Sequence, residues 1–94
     1  MGKIPPIKMS WDEATKYADS LNTMSEYGWR LPTIEELEEA YNNKIVEFQS
    51  YSYWSSITYV QNTNYAWNVD FSNGFVDFND KTDDYYVRCV RGVK

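Results

Sequence analysis

Pro32 limits this chain more than any other residue, because it fixes what can happen on both of its sides. A proline disfavours helical angles in the residue before it, so no helix runs through Leu31. Thr33 then stands where a helix N-cap belongs, and Glu36 completes a Thr-x-x-Glu capping box. Glu35 and Glu36 put negative charge in the first turn, where the helix dipole favours it. Ile34, Leu37 and Tyr41 form one apolar face, and the pattern stops at Asn42-Asn43. A second capping box, Ser10 with Glu13, opens an earlier helix whose face is Trp11, Ala14, Ala18 and Leu21. It is expected to run to about Thr23, with residues 24–28 turning the chain into Trp29, a buried anchor in this reading.

After Asn43 the periodicity changes from helical to alternating. Residues 53–57 predict one strand, and residues 65–71 another with Tyr65, Trp67, Val69 and Phe71 on one side. Ser72-Asn73-Gly74 is a hairpin turn, since Asn and Gly tolerate left-handed angles. Residues 75–79 return, an acidic loop spans 80–84, and residues 85–91 are expected to close the sheet. Residues 4–9 predict a short edge strand, because Pro5 and Pro6 cannot donate to a central ladder. Strand, helix, helix and then antiparallel strands is an α+β order. At 94 residues the whole chain, 1–94, is expected to form a single domain.

Charge and composition remove several function classes. There are 14 acids against 9 bases, with no basic run, so nucleic acid is not an expected partner. Cys89 is the single cysteine and histidine is absent, which rules out an internal disulfide and removes the commonest zinc ligand and neutral-pH acid–base group. No metal and no cofactor are expected. No signal-peptide core and no apolar run of membrane-spanning length occur, so the chain reads as soluble with no membrane partner.

Five blocks occur in series: Ser10-Trp11-Asp12-Glu13-Ala14; Trp29-Arg30-Leu31-Pro32-Thr33 with Glu36-Leu37; Tyr53-Trp54-Ser55-Ser56; Ala66-Trp67-x-Val69-x-Phe71 with Gly74; and Tyr86-Val87-Arg88-Cys89-Val90-Arg91. Together they resemble the Lcl C-terminal domain family over roughly residues 9 to 92. The resemblance implies a C-type-lectin-like fold, in which two helices flank a twisted antiparallel β-sheet. It also implies a distant likeness to the formylglycine-generating sulfatase-modifying enzymes, and a bacterial or phage recognition role. The Glu-Pro-Asn, Gln-Pro-Asp and Trp-Asn-Asp motifs of calcium-dependent sugar binding are missing, as are the active-site cysteines of the modifying enzymes. Neither chemistry carries over.

The remaining residues are weighed one group at a time. Without histidine, a Ser or Thr nucleophile would need Lys or a carboxylate as its base, and no such arrangement is suggested. Cys89 alternates with Val87 and reads as a buried, inert thiol. Asp77, Asp80, Asp83 and Asp84 fail the spacing of a calcium loop, since Lys81 and Thr82 occupy positions that need a ligand and a glycine. Arg30, Arg88 and Arg91 read as fold-fixing hydrogen bonders rather than anion contacts.

Function is sought between Gln49 and Asn68, where tyrosines alternate with Ser and Asn as they do in binding loops. The competing reading is β-propensity with half of the rings in the core, and Trp54 and Trp67 are assigned there. Residues 58–65 are the expected contact loop, with Asn62 and Asn64 free of structural duty. The ligand-binding set is Tyr59, Asn62, Asn64 and Tyr65, joined by Asn68 and Asp70 from the outward side of the hairpin. The expected function is a non-enzymatic recognition module for a protein or glycan partner. The alternatives are a small acidic interaction or inhibitor protein, or an enzyme of unknown class.

Overall fold

A computed structural model describes residues 8–44 and 51–92. The element order is α1 (Trp11–Ser20), β1 (Trp29–Arg30), α2 (Ile34–Asn42), β2 (Ser52–Thr58), β3 (Tyr65–Asp70), β4 (Val76–Asp80) and β5 (Val90–Arg91). Among the described residues the architecture is α+β, with two helices and two antiparallel sheets. One sheet has the order β2-β3-β4 and the other pairs β1 with β5.

Both helices begin as their sequences dictate. Ser10 Oγ accepts from Glu13 N at 3.3 Å, and Thr33 Oγ1 accepts from Glu36 N at 3.1 Å. In return Ser10 N donates to Glu13 at 3.0 Å and Thr33 N to Glu36 at 2.8 Å. Each box thus satisfies two backbone donors at the helix entrance.

The three-stranded sheet carries apolar side chains on both faces. Tyr53 and Trp54 are neighbours on β2 and therefore point to opposite sides. Trp54 packs with Ala66 and with Ala14 and Ala18 of α1, together with Leu31, Val87 and Cys89. Tyr53 packs with Val69 and with Leu37 of α2. The helices accordingly flank the sheet, one on each face. Between Trp54 and Thr58 the register of β2 shifts. Ser55, fully buried, fills the gap: its hydroxyl donates to Trp67 O at 2.8 Å and accepts from Ile57 N at 3.1 Å. The irregularity therefore leaves these backbone groups paired.

Three expectations need correction. Residues 85–91 do not form one closing strand. Tyr85 bridges Met9, Tyr86 bridges Tyr53 in the parallel sense, residues 87–89 are irregular, and only β5 forms a ladder, with β1. The segment changes partner twice, which strand propensity cannot reveal. The first helix ends at Ser20, short of Thr23. Trp29 is half-buried, packed against the edge of the Trp54 core and not enclosed in it. Of the strand expected at 4–9, residues 4–7 lie outside the described residues, and Met9 makes its antiparallel bridge.

Candidate functional site

The β2–β3 connection and the adjoining end of the sheet form an aromatic platform. Trp67 on β3 lies directly opposite Phe78 on β4, so both rings share a face. Tyr59 stacks on Phe78 with ring centroids 4.2 Å apart and planes 3° from parallel. Trp67 meets Tyr59 edge-on at 5.3 Å and Phe78 edge-on at 5.3 Å. Tyr65 joins at 5.7 Å from Phe78. All four rings are half-buried. Val69 continues the same face beneath α2, so the platform is the end of that face beyond the helix's apolar contacts.

This placement revises the assignment of Trp67 to the core. Trp54 is fully buried, whereas Trp67 is a platform residue. Alternation alone could have hinted at it, because Trp67 shares its parity with Tyr65.

The six expected contact residues separate into three groups. Tyr59 and Tyr65 belong to the platform, with the Tyr59 hydroxyl donating to Gln61 Oε1 at 2.6 Å. Asn62 and Asn64 are exposed at its margin, but the first has a structural duty that the sequence did not suggest. Asn62 Oδ1 accepts from Asn64 N at 3.1 Å, an Asx turn that shapes the loop. Asn64 O accepts from Lys81 N at 2.9 Å, which ties the loop to the end of β4. Asn68 is 2% exposed, and its Nδ2 donates to Asn79 Oδ1 at 2.8 Å. Asp70 lies at the opposite end of β3, where its carboxylate accepts from Ser72 N and Oγ at 2.8 and 2.6 Å. Asn68 and Asp70 thus stand apart from the platform and are engaged in holding the hairpin.

A concave feature lies between α1 and β1. It is a groove of about 320 Å³ with Trp11, Trp29, Lys16, Asp19, Arg30 and Ser56 among its walls. The sequence reading treated these tryptophans as scaffold only. Trp11 Nε1 donates to Ser55 O at 2.9 Å, and Trp29 Nε1 to Glu26 at 3.4 Å. Arg30 is locked in place: Nη1 and Nη2 donate to the two Glu36 oxygens at 2.7 and 2.9 Å, and Nε donates to Gly92 O at 3.1 Å. The guanidinium, followed by the Thr33 backbone and hydroxyl, holds the Glu36 carboxyl down at about 2.

The other candidates for chemistry are structurally engaged. Asp80 accepts from the Thr82 backbone at 3.0 Å and its hydroxyl at 2.8 Å, which lowers its pKa. Cys89 is fully buried, and burial pushes its thiol up to about 11. Arg88 is 6% exposed, within the interior between these elements. Among the described residues no helix is long and apolar enough to cross a membrane.

Comparison with curated proteins finds no match. The model of one protein family, the Lcl C-terminal domain, matches residues 3–91, and with nearly the whole chain covered, this protein belongs to that family.

Proposed function

We propose that the domain is a non-enzymatic recognition module that binds a protein or glycan partner through the aromatic platform. The observation that carries this reading is the stacking of Tyr59, Tyr65, Trp67 and Phe78 into one half-exposed surface beside Val60, which is 85% exposed. Rings fixed by one another present contact area at little entropic cost, and binding energy concentrates on such anchors. The Asn62–Asn64 turn borders them with adaptable hydrogen-bonding groups, the pairing found in binding loops. The strongly shifted carboxyl, that of Glu36, is consumed by Arg30 and the helix cap, so it supports a structural rather than a catalytic assignment.

We read the fold as C-type-lectin-like, supported by the two helices on opposite faces of the sheet and by the β1–β5 ladder that ties the early chain to its end. The test of function is a glycan-array and pull-down screen of the domain, repeated with Trp67→Ala. The expected result is a partner whose affinity falls tenfold or more in the variant, while the two capped helices remain folded by circular dichroism. A partner bound equally by both proteins overturns the platform as the contact surface.

A further inference from the structure

We propose that the groove between α1 and β1 is a second binding site, one that takes a neutral sugar ring between Trp11 and Trp29. The proposal builds on the reading of the domain as a recognition module, but it stands on a different surface from the platform.

The chemistry follows from what each wall can still offer. Both indole N–H groups are already donated, to Ser55 O and to Glu26, so each tryptophan presents carbon to a ligand. Lys81 lies over the Trp11 ring at 4.2 Å and Arg91 over the Trp29 ring at 6.0 Å, yet neither lines the groove. The Thr15 hydroxyl proton is donated to Trp11 O at 2.9 Å. Arg30 is neutralised by Glu36. Three polar side chains remain available: the half-buried Ser56 hydroxyl, and Lys16 and Asp19, exposed, three residues apart on α1 and therefore neighbours on its surface. Among the described residues neither of these two charged side chains is held in a hydrogen bond or salt bridge, and the Lys16 ammonium acts only at longer range, adding to the Ser10 hydrogen bonds that lower the pKa of Glu13.

One available ammonium and one available carboxylate give a rim with no net charge. An anionic ligand would gain Lys16 and meet Asp19, and a cationic one would face the reverse. An apolar side chain would lie against the indoles but leave both rim groups without a partner. A pyranose satisfies every wall: its C–H face lies on an indole, one hydroxyl accepts from Lys16, and another donates to Asp19. At about 320 Å³ the groove has room for one sugar ring. A small ligand in an open groove of this kind binds with a dissociation constant on the order of 1 mM.

The chain's four tryptophans make the test site-resolved. Trp11 and Trp29 report the groove, Trp54 the core and Trp67 the platform. The ¹⁵N-labelled protein is titrated with methyl glucoside, methyl mannoside, methyl galactoside and N-acetylglucosamine while the indole N–H signals are followed. The expected result is saturable movement of the Trp11 and Trp29 signals by at least one sugar, a still Trp54 signal, and an affinity unchanged from low to high salt. Lys16→Ala and Asp19→Ala, both exposed positions, should each weaken binding about fivefold to tenfold with Trp54 unmoved, as expected for losing one solvent-exposed hydrogen bond. Movement confined to Trp67 overturns the groove and leaves the platform standing. Binding confined to glucuronate or to sulfated sugars, or lost at high salt, overturns the neutral-ring assignment, as does no movement at all. If the groove responds as expected while Trp67→Ala leaves every partner bound, the platform reading fails and this one stands.

Discussion

Arg30 and Glu36 form a two-pronged ion pair, 2.7 and 2.9 Å across its arms, that joins the short β1 strand to the first turn of α2. The same Glu36 oxygen that meets Arg30 Nη1 also accepts from Thr33 N at 2.8 Å, so one carboxylate closes the helix cap and fastens the strand. Arg30 Nε reaches onward to Gly92 O at 3.1 Å, which brings the β5 end of the chain into the same network.

Glu36→Gln separates the two duties, because glutamine can still complete a capping box but cannot pair with Arg30. The pair is partly exposed, at 26% and 33%, so the substitution is expected to cost about 1–2 kcal/mol after allowance for solvent screening. The pH dependence has a fixed sign. The folded-state carboxyl lies at about 2 against an ordinary 4.5, so its stabilisation is fully present above about pH 5 and fades as pH falls towards 2. Denaturant melts of both proteins across that range should converge at the acid end. A constant gap would place the loss in the cap and not in the ion pair.

Gly74 and Tyr41 form a second dependence. Gly74 has φ +79°, and a Cβ placed there would lie 2.5 Å from the Tyr41 ring. Gly74→Ala therefore meets both a left-handed backbone and a collision, and should cost about 2–4 kcal/mol. Tyr41→Ala removes the collision but keeps the backbone penalty. In a double-mutant cycle the two changes should couple by about 1 kcal/mol or more, and strict additivity would show that backbone strain alone is responsible.

Tyr59 tests the platform as a physical unit. Treated as an exposed loop residue it would be silent on removal, but its ring stacks on Phe78 at 4.2 Å. Tyr59→Ala is expected to lower stability by about 1–2 kcal/mol, and its cycle with Phe78→Ala should return a coupling of about 0.5–1.5 kcal/mol. No coupling would mean the rings are neighbours without mutual support.

The helices were legible because their signals are local. Thr33 with Glu36, and Ser10 with Glu13, specify their caps within four residues, and both appear as read. The β2–β3–β4 order was legible for a similar reason, since short connections join consecutive strands. Residues 85–91 were not legible, because their partners Met9, Tyr53 and β1 come from three places in the chain. The site was read in part. Tyr59 and Tyr65 were found from composition, yet Asn68 and Asp70 could be placed only once the hairpin register was known. Trp11 and Trp29 sit inside segments whose capping and turn signals explain them fully, so nothing local marks the groove they share.

Cys89 provides a readout of the interior that needs no ligand. It is fully buried beside Trp54 and Val87, and burial raises its thiol from 9.0 to about 11. The thiolate is the reactive form, so at neutral pH both access and ionisation oppose modification. Native protein should resist iodoacetamide over hours, and reaction should accelerate with urea in proportion to the opened population. Raising pH by one unit should increase the rate about tenfold whether attack occurs in the folded or the opened state below the thiol's range, so the urea dependence is the deciding measurement. Rapid, urea-independent labelling in native buffer would show that the thiol is reachable in the folded state. It would also remove Cys89 from the core shared by α1 and β2.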